Sequence, residues 1–155
     1  MGVVLSGFKP LEVYLRNIAE RSSRGAREEL EQGALDIKKL ARLYVPEDTT
    51  ALKQSILLGS EIHGFTKKVN GRNVYTVEVD MNMPDGHNGH QVVGDYADMV
   101  HEHYQIMKAG KNTVDKRAAN PGVYIGEKFL ERAMEDLNDD IKRKVEARVD
   151  QGIGH

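Results

Sequence analysis

The chain has 155 residues, with 22 Lys+Arg against 24 Asp+Glu and a formal net charge of −2. That length suits one domain with a core of its own, and the balanced charge speaks against a dedicated nucleic-acid binder. There is no cysteine, which excludes disulfides, thiolate metal sites and cysteine nucleophiles, and no run of 18 apolar residues offers a membrane span.

The first element expected is a short helix over 10–20, because Leu11, Tyr14, Leu15 and Ile18 fall at i, i+3, i+4 and i+7. The run Arg21–Gly25 interrupts it, with Ser22 or Ser23 placed to cap a second helix over 22–45. The buried stripe of that helix is Leu30, Ala34, Ile37, Ala41 and Tyr44, and Pro46 stops it. Pro46–Thr50 reads as a turn. A single helical turn or a strand start follows at Ala51–Ile56.

The pattern then becomes β-like, giving a β region over 54–81. Asn70-Gly71 is the signal of a two-residue hairpin turn. Beyond it Tyr75, Val77, Val79 and Met81 alternate with Thr76, Glu78 and Asp80, the period of a half-buried strand. Pro84, Gly86, Gly89 and Gly94 mark a loop over 82–94. Asp95–Glu102 is a short ordered element whose type the pattern leaves open. A second, basic loop spans 105–122 and carries Lys108, Lys111, Lys116 and Arg117. The chain closes with a helix over 126–150, lined by Leu130, Ala133, Leu137, Ile141, Val145 and Val149. Strands grouped between long helices predict an α+β single domain: a small twisted antiparallel sheet packed by a long helix from each half, with extended loops.

Candidate chemistry is sparse. His87, His90, His101 and His103, with Glu102 between the last two, could hold zinc. His87 and His90 sit in a glycine-containing loop that fixes neither ring, however. On a strand His101 and His103 would share a face from which Glu102 points away. Surface histidines are the plainer reading, and a metal-binding protein or metal-dependent enzyme is the alternative function. There is no G-x-S-x-G elbow, H-E-x-x-H helix, P-loop or G-x-G-x-x-G. The pairs Glu28-Glu29 and Asp139-Asp140 diverge on helix faces and read as solvated. A non-enzymatic chain without a cofactor is therefore expected. Two long loops on a small scaffold point to binding.

Three segments carry a resemblance. Ala41-Arg42-Leu43-Tyr44-Val45-Pro46-Glu47-Asp48-Thr49, followed by Leu52 and Ser55-Ile56, resembles a signature written A-P-x-D-T-G-x-L-x-x-S-I. Tyr96-Ala97-Asp98-Met99-Val100-His101-Glu102 is similar to Y-A-x-x-V-E, and Phe129-Leu130-Glu131-Arg132-Ala133 to F-L-x-x-A. The family is that of the tail-completion or neck (minor capsid) proteins of tailed bacteriophages. Thr50 departs from the signature glycine, His101 is an extra residue before the acid, and Glu102-His103-Tyr104 replaces E-F-G.

The resemblance implies helices packed on a twisted antiparallel sheet and a hexameric ring on the tail tube. It implies a head connector or stopper protein and the tail tube protein as partners, and a virion location after assembly in the host cytoplasm. Genome DNA would pass the ring lumen without sequence-specific binding. Tail terminator, stopper and minor tail protein are neighbouring assignments. The expected oligomer or partner contacts are Asp95, Tyr96, His101 and Glu102 together with Lys108, Lys111, Lys116 and Arg117. Glu102→Lys is expected to impair ring formation and leave the monomer's melting temperature nearly unchanged.

Overall fold

The computed structural model describes residues 3–9, 12–17, 24–47, 50–86 and 91–153. Its element order is β1 (Val3–Lys9), β2 (Glu12–Asn17), α1 (Arg24–Tyr44), α2 (Thr50–Ser55), β3 (Ile56–Leu58), α3 (Gly59–His63), β4 (Lys67–Val69), β5 (Arg72–Val79), α4 (Ala97–His103), α5 (Lys111–Ala119) and α6 (Phe129–Ile153). The expected α+β class holds. The strands make one antiparallel sheet in the order β1-β2-β5-β3, with β4 also paired to β5. The long helices α1 and α6 pack together and on the sheet.

The helix expected over 10–20 is corrected: Glu12–Asn17 is strand β2, with Val13 facing Val77 and Leu15 facing Tyr75. Val13 and Leu15, two residues apart, enter the core at 1% and 0% exposure. A window this short satisfies both periods, and pairing with β5 decides between them. The capping residues Ser22 and Ser23 lie outside the described residues.

α1 and α6 are the elements that periodicity located best. Leu30, Ala34, Ile37 and Ala41 of α1 are buried, and Ala133, Ile141, Val145 and Val149 of α6 are buried in the same cluster. The helices run antiparallel, since Gly33 meets Ile141 while Glu29, a turn earlier in α1, meets Arg148, two turns later in α6. Tyr44 donates from its hydroxyl to Asp136 farther along the same seam. Burial, with Asp136 beside it, pushes the Tyr44 phenol up to about 12.

The Asn70-Gly71 turn forms as expected, with φ of 52° and 74°, and joins β4 to β5. In β5, Val77 and Val79 face the helices. The opposite face is not fully solvated, because α3 lies across it and buries Thr76. Gly59 makes this approach possible. A Cβ there would sit 1.9 Å from Thr76 Oγ1 and 2.5 Å from Glu78 Oε2, so no other residue fits.

The loop expected over 105–122 is a second correction. It contains helix α5, of which Thr113 is the buried residue. A helix without an apolar stripe leaves no 3.6-residue signal. Among the described residues, no helix is long and apolar enough to cross a membrane.

Candidate functional site

The second and third signature segments meet at the junction of α4 and α6. Ala97 and Val100 turn α4 inward, and Phe129, Leu130 and Ala133 open α6 in the same core. Between them Lys128 adopts a left-handed backbone at φ 57°, an uncommon conformation for a lysine. Its amide donates to the His101 carbonyl at 2.7 Å, which ties the two helices together.

His101 is fully buried, with its ring against Phe129 edge-to-face at 4.8 Å between centroids. Its Nδ1 lies 2.8 Å from Glu102 Oε1, and the other Glu102 oxygen accepts from the Lys128 ammonium. Burial lowers the pKa of His101 and outweighs the opposing pull of Glu102. The hydrogen bond from Lys128 holds the Glu102 carboxyl below its usual range, and the same bond raises Lys128. Glu102 is thus a bridging residue within the subunit. Glu102→Lys would set a cation against Lys128 and His101, so the melting temperature of that variant reads the loss of these two contacts as well as any interface.

The remaining expected contact residues divide in two. Asp95 accepts from the Val92 amide at 3.0 Å, and the Tyr96 hydroxyl donates to Asp85 at 2.8 Å; both bonds brace the base of the 82–94 loop. Lys108 and Lys111 are exposed. Lys116, half-buried, and Arg117, exposed, both make bonds within the subunit. Lys116 Nζ donates to the carbonyls of Arg42 and Val45, each at 2.7 Å, and lies 3.8 Å from Glu47. These carbonyls end α1, where the last C=O groups lack helical partners. Burial lowers the Lys116 ammonium to about 8, against the opposing effect of Glu47. Arg117 donates to the Ile125 carbonyl at 2.9 Å and lies over the Tyr104 ring.

Of the four histidines, two can be placed, and they differ: His101 is buried. His103 is exposed, and His87 and His90 lie outside the described residues. What gathers around His101 instead is Glu102 and Glu131, with one ligand atom from each of the three within 4.8 Å of the others. Glu131 was missed because it stands 30 residues beyond His101 in sequence, and only the contact of α4 with the start of α6 unites them. The adjacent F-L-x-x-A segment was the one available pointer.

A second feature escaped sequence reading altogether. A cavity of about 370 Å³ opens beside α3 and β5, where Glu78 accepts from Thr76 Oγ1 at 2.7 Å and lies 3.2 Å from His63 Nε2. Phe65 stands 66% exposed at its rim.

The exposed apolar residues are unevenly placed. Six large hydrophobic side chains are exposed among the described residues, and five of them fall from α4 to the residues just before α6: Met99, Ile106, Met107, Val114 and Tyr124. Comparison with protein-family models, with curated proteins and with solved structures finds no match to this chain.

Proposed function

We propose that this chain is a structural protein of a tailed-phage neck, acting without catalysis as a subunit of a ring that completes the tail and joins it to the head connector. The observation that carries the proposal is the crowding of exposed apolar side chains into 99–124. Exposed apolar side chains that share a surface mark interaction sites, and this segment begins within the Tyr-Ala motif and runs beyond it. Signature positions support it from within. Ala41, Val45, Leu52, Ile56, Ala97, Val100, Phe129 and Ala133 share one core, as residues that maintain a family fold would.

A closed ring needs two different surfaces that fit each other. The α4–α5 side supplies one in this proposal. The free edge of β1 supplies the other: β1 bonds β2 along one side, and among the described residues no strand pairs with its second side. An unpaired strand edge is a template for a neighbouring chain. Six copies, the number implied by the family, would join head to tail through these two surfaces.

Antibody to the purified protein, used for immunogold electron microscopy on virions of the encoding phage, tests the proposal. Gold at the head–tail junction is expected. Gold confined to the tail shaft or capsid would keep a virion role and overturn the neck assignment. Absence of label on both intact and gently disrupted particles would overturn the structural role itself.

A further inference from the structure

We propose that His101, Glu102 and Glu131 form a binding site for one divalent transition-metal ion of the zinc class, in which the ion replaces the Lys128 ammonium on Glu102. The site is independent of the ring and goes beyond it.

Four observations point there. One ligand atom each from His101, Glu102 and Glu131 lie within 4.8 Å of one another. His101 is fully buried, and its Nδ1 faces the Glu102 carboxylate at 2.8 Å, so that an ion between them would take the place of the proton they share. The ligands stand on helices, not on a free loop. α4 presents His101 and Glu102, the first turn of α6 presents Glu131, and the 2.7 Å bond from the Lys128 amide to the His101 carbonyl joins the two. Finally, the two carboxylates face one nearby ammonium: Lys128 is bonded to Glu102, and Glu131 lies close enough to act on the same cation and on His101.

The donor set selects the class of ion. One imidazole with two carboxylates suits zinc and its transition-metal neighbours, whereas calcium and magnesium favour all-oxygen shells. Zinc bonds of about 2.1 Å place tetrahedral ligand atoms roughly 3.4 Å apart. The cluster would therefore close by up to about 1.4 Å, within the reach of two glutamate side chains. Three protein ligands leave a fourth position to water or to a neighbouring group.

Lys128 makes the proposal testable in both directions, because it competes for Glu102. The experiment is calorimetric titration of the untagged full chain with zinc chloride, repeated on three variants. The expected result is one zinc per chain in the wild type. Glu131→Gln, at a half-buried position outside the core, weakens binding by ~10-fold or more. Lys128→Met tightens it by removing the competitor. His103→Ala, one turn-end away and exposed, leaves it unchanged. Circular dichroism of each variant separates lost binding from lost fold. The proposal is overturned if the wild type takes up no zinc, or if Glu131→Gln binds as well as wild type. Loss of binding in His103→Ala with Glu131→Gln intact would assign the metal to the exposed histidines and equally overturn it.

Discussion

Helix α1 is held in two unlike ways along its length. Its middle is fastened to α6 by apolar packing, with Gly33 so close to Ile141 that a Cβ would meet that side chain at 3.0 Å. Its C-terminal end is fastened by polar groups. Lys116 caps the Arg42 and Val45 carbonyls, the Gly126 amide donates to the Tyr44 carbonyl at 2.9 Å, and Thr113 accepts from the Glu47 amide at 2.9 Å. Packing of the first kind is blind to pH and visible in sequence as a period. Capping of the second kind responds to protons and leaves no period at all.

Cutting the apolar seam is expected to have the largest effect. Ile141 is 3% exposed, and Ile141→Ala should destabilise by about 2–5 kcal/mol, because the transfer energy is lost and a cavity opens against the α1 backbone. At roughly 2–4 °C per kcal/mol for a domain of this size, thermal unfolding will register the change clearly. The loss should be the same at pH 7 and pH 9.5. A cost that varied with pH would mean that the seam carries hidden charge coupling.

The polar end comes next. Lys116→Met orphans the Arg42 and Val45 carbonyls and should cost about 2 kcal/mol at pH 7. Its pH dependence has a definite sign. The Lys116 ammonium has a folded value of about 8 against an ordinary 10.5, so between these values the unfolded chain holds the proton and the folded chain does not. Stability linked to this group therefore rises with pH across that window. The neutral amine still donates to the carbonyls, and methionine has no such gain, so the wild-type advantage should widen from pH 8 to pH 10. Urea unfolding of both proteins at those two values is the check. An advantage that narrowed would mean that the ammonium is the preferred form in the folded chain.

Glu102→Gln is expected to cost less, about 1 kcal/mol, since Glu102 and Lys128 are part-exposed and water screens their pairing. Here the sign is opposite. The carboxyl is held low in the folded chain, so its contribution is present above the ordinary glutamate value and is lost as pH falls through the folded one. The wild type and Glu102→Gln should converge in stability in acid. Failure to converge would show that the hydrogen bond to His101, not the charge, carries the effect.

What the sequence reveals follows the same division. α1, α6 and β5 carry their periods openly, and Asn70-Gly71 marks a hairpin because both residues tolerate positive φ. β2 is misread because Leu11, Tyr14, Leu15 and Ile18 make a helical stripe that only the partner strand β5 overrules. α5 is hidden because its attachments run through Thr113, Lys116 and Arg117 to backbone atoms, and polar side chains look alike whether they cap a helix or face water. At the candidate site, Asp95–Glu102 stands out as an ordered element and His101 and Glu102 as chemistry. Lys128 does not, since nothing in its type announces a left-handed backbone, and Glu131 looks like any helix-surface acid. Residues that act through distant backbone or through one another's charge have no sequence neighbour to betray them.

The smallest expected effect lies at the start of α1, where Arg24 and Glu28 pair at 3.0 Å with side chains 87% and 56% exposed. Pairs of this spacing contribute about 0.3–0.5 kcal/mol at best. This one is placed poorly. The cation precedes the acid and sits at the positive end of the helix dipole, where an anion would be favoured. Glu28→Gln should therefore change stability by less than about 0.5 kcal/mol, and Arg24→Gln by nothing measurable, with both differences fading in added salt. Chemical denaturation at low and high salt can read this against Glu102→Gln. A Glu28→Gln cost equal to that of Glu102→Gln would mean that side-chain geometry alone sets the value of these pairs. The expected gap between them assigns that value to burial, which Glu102 gains by standing between two packed helices and Glu28 lacks at a free helix end.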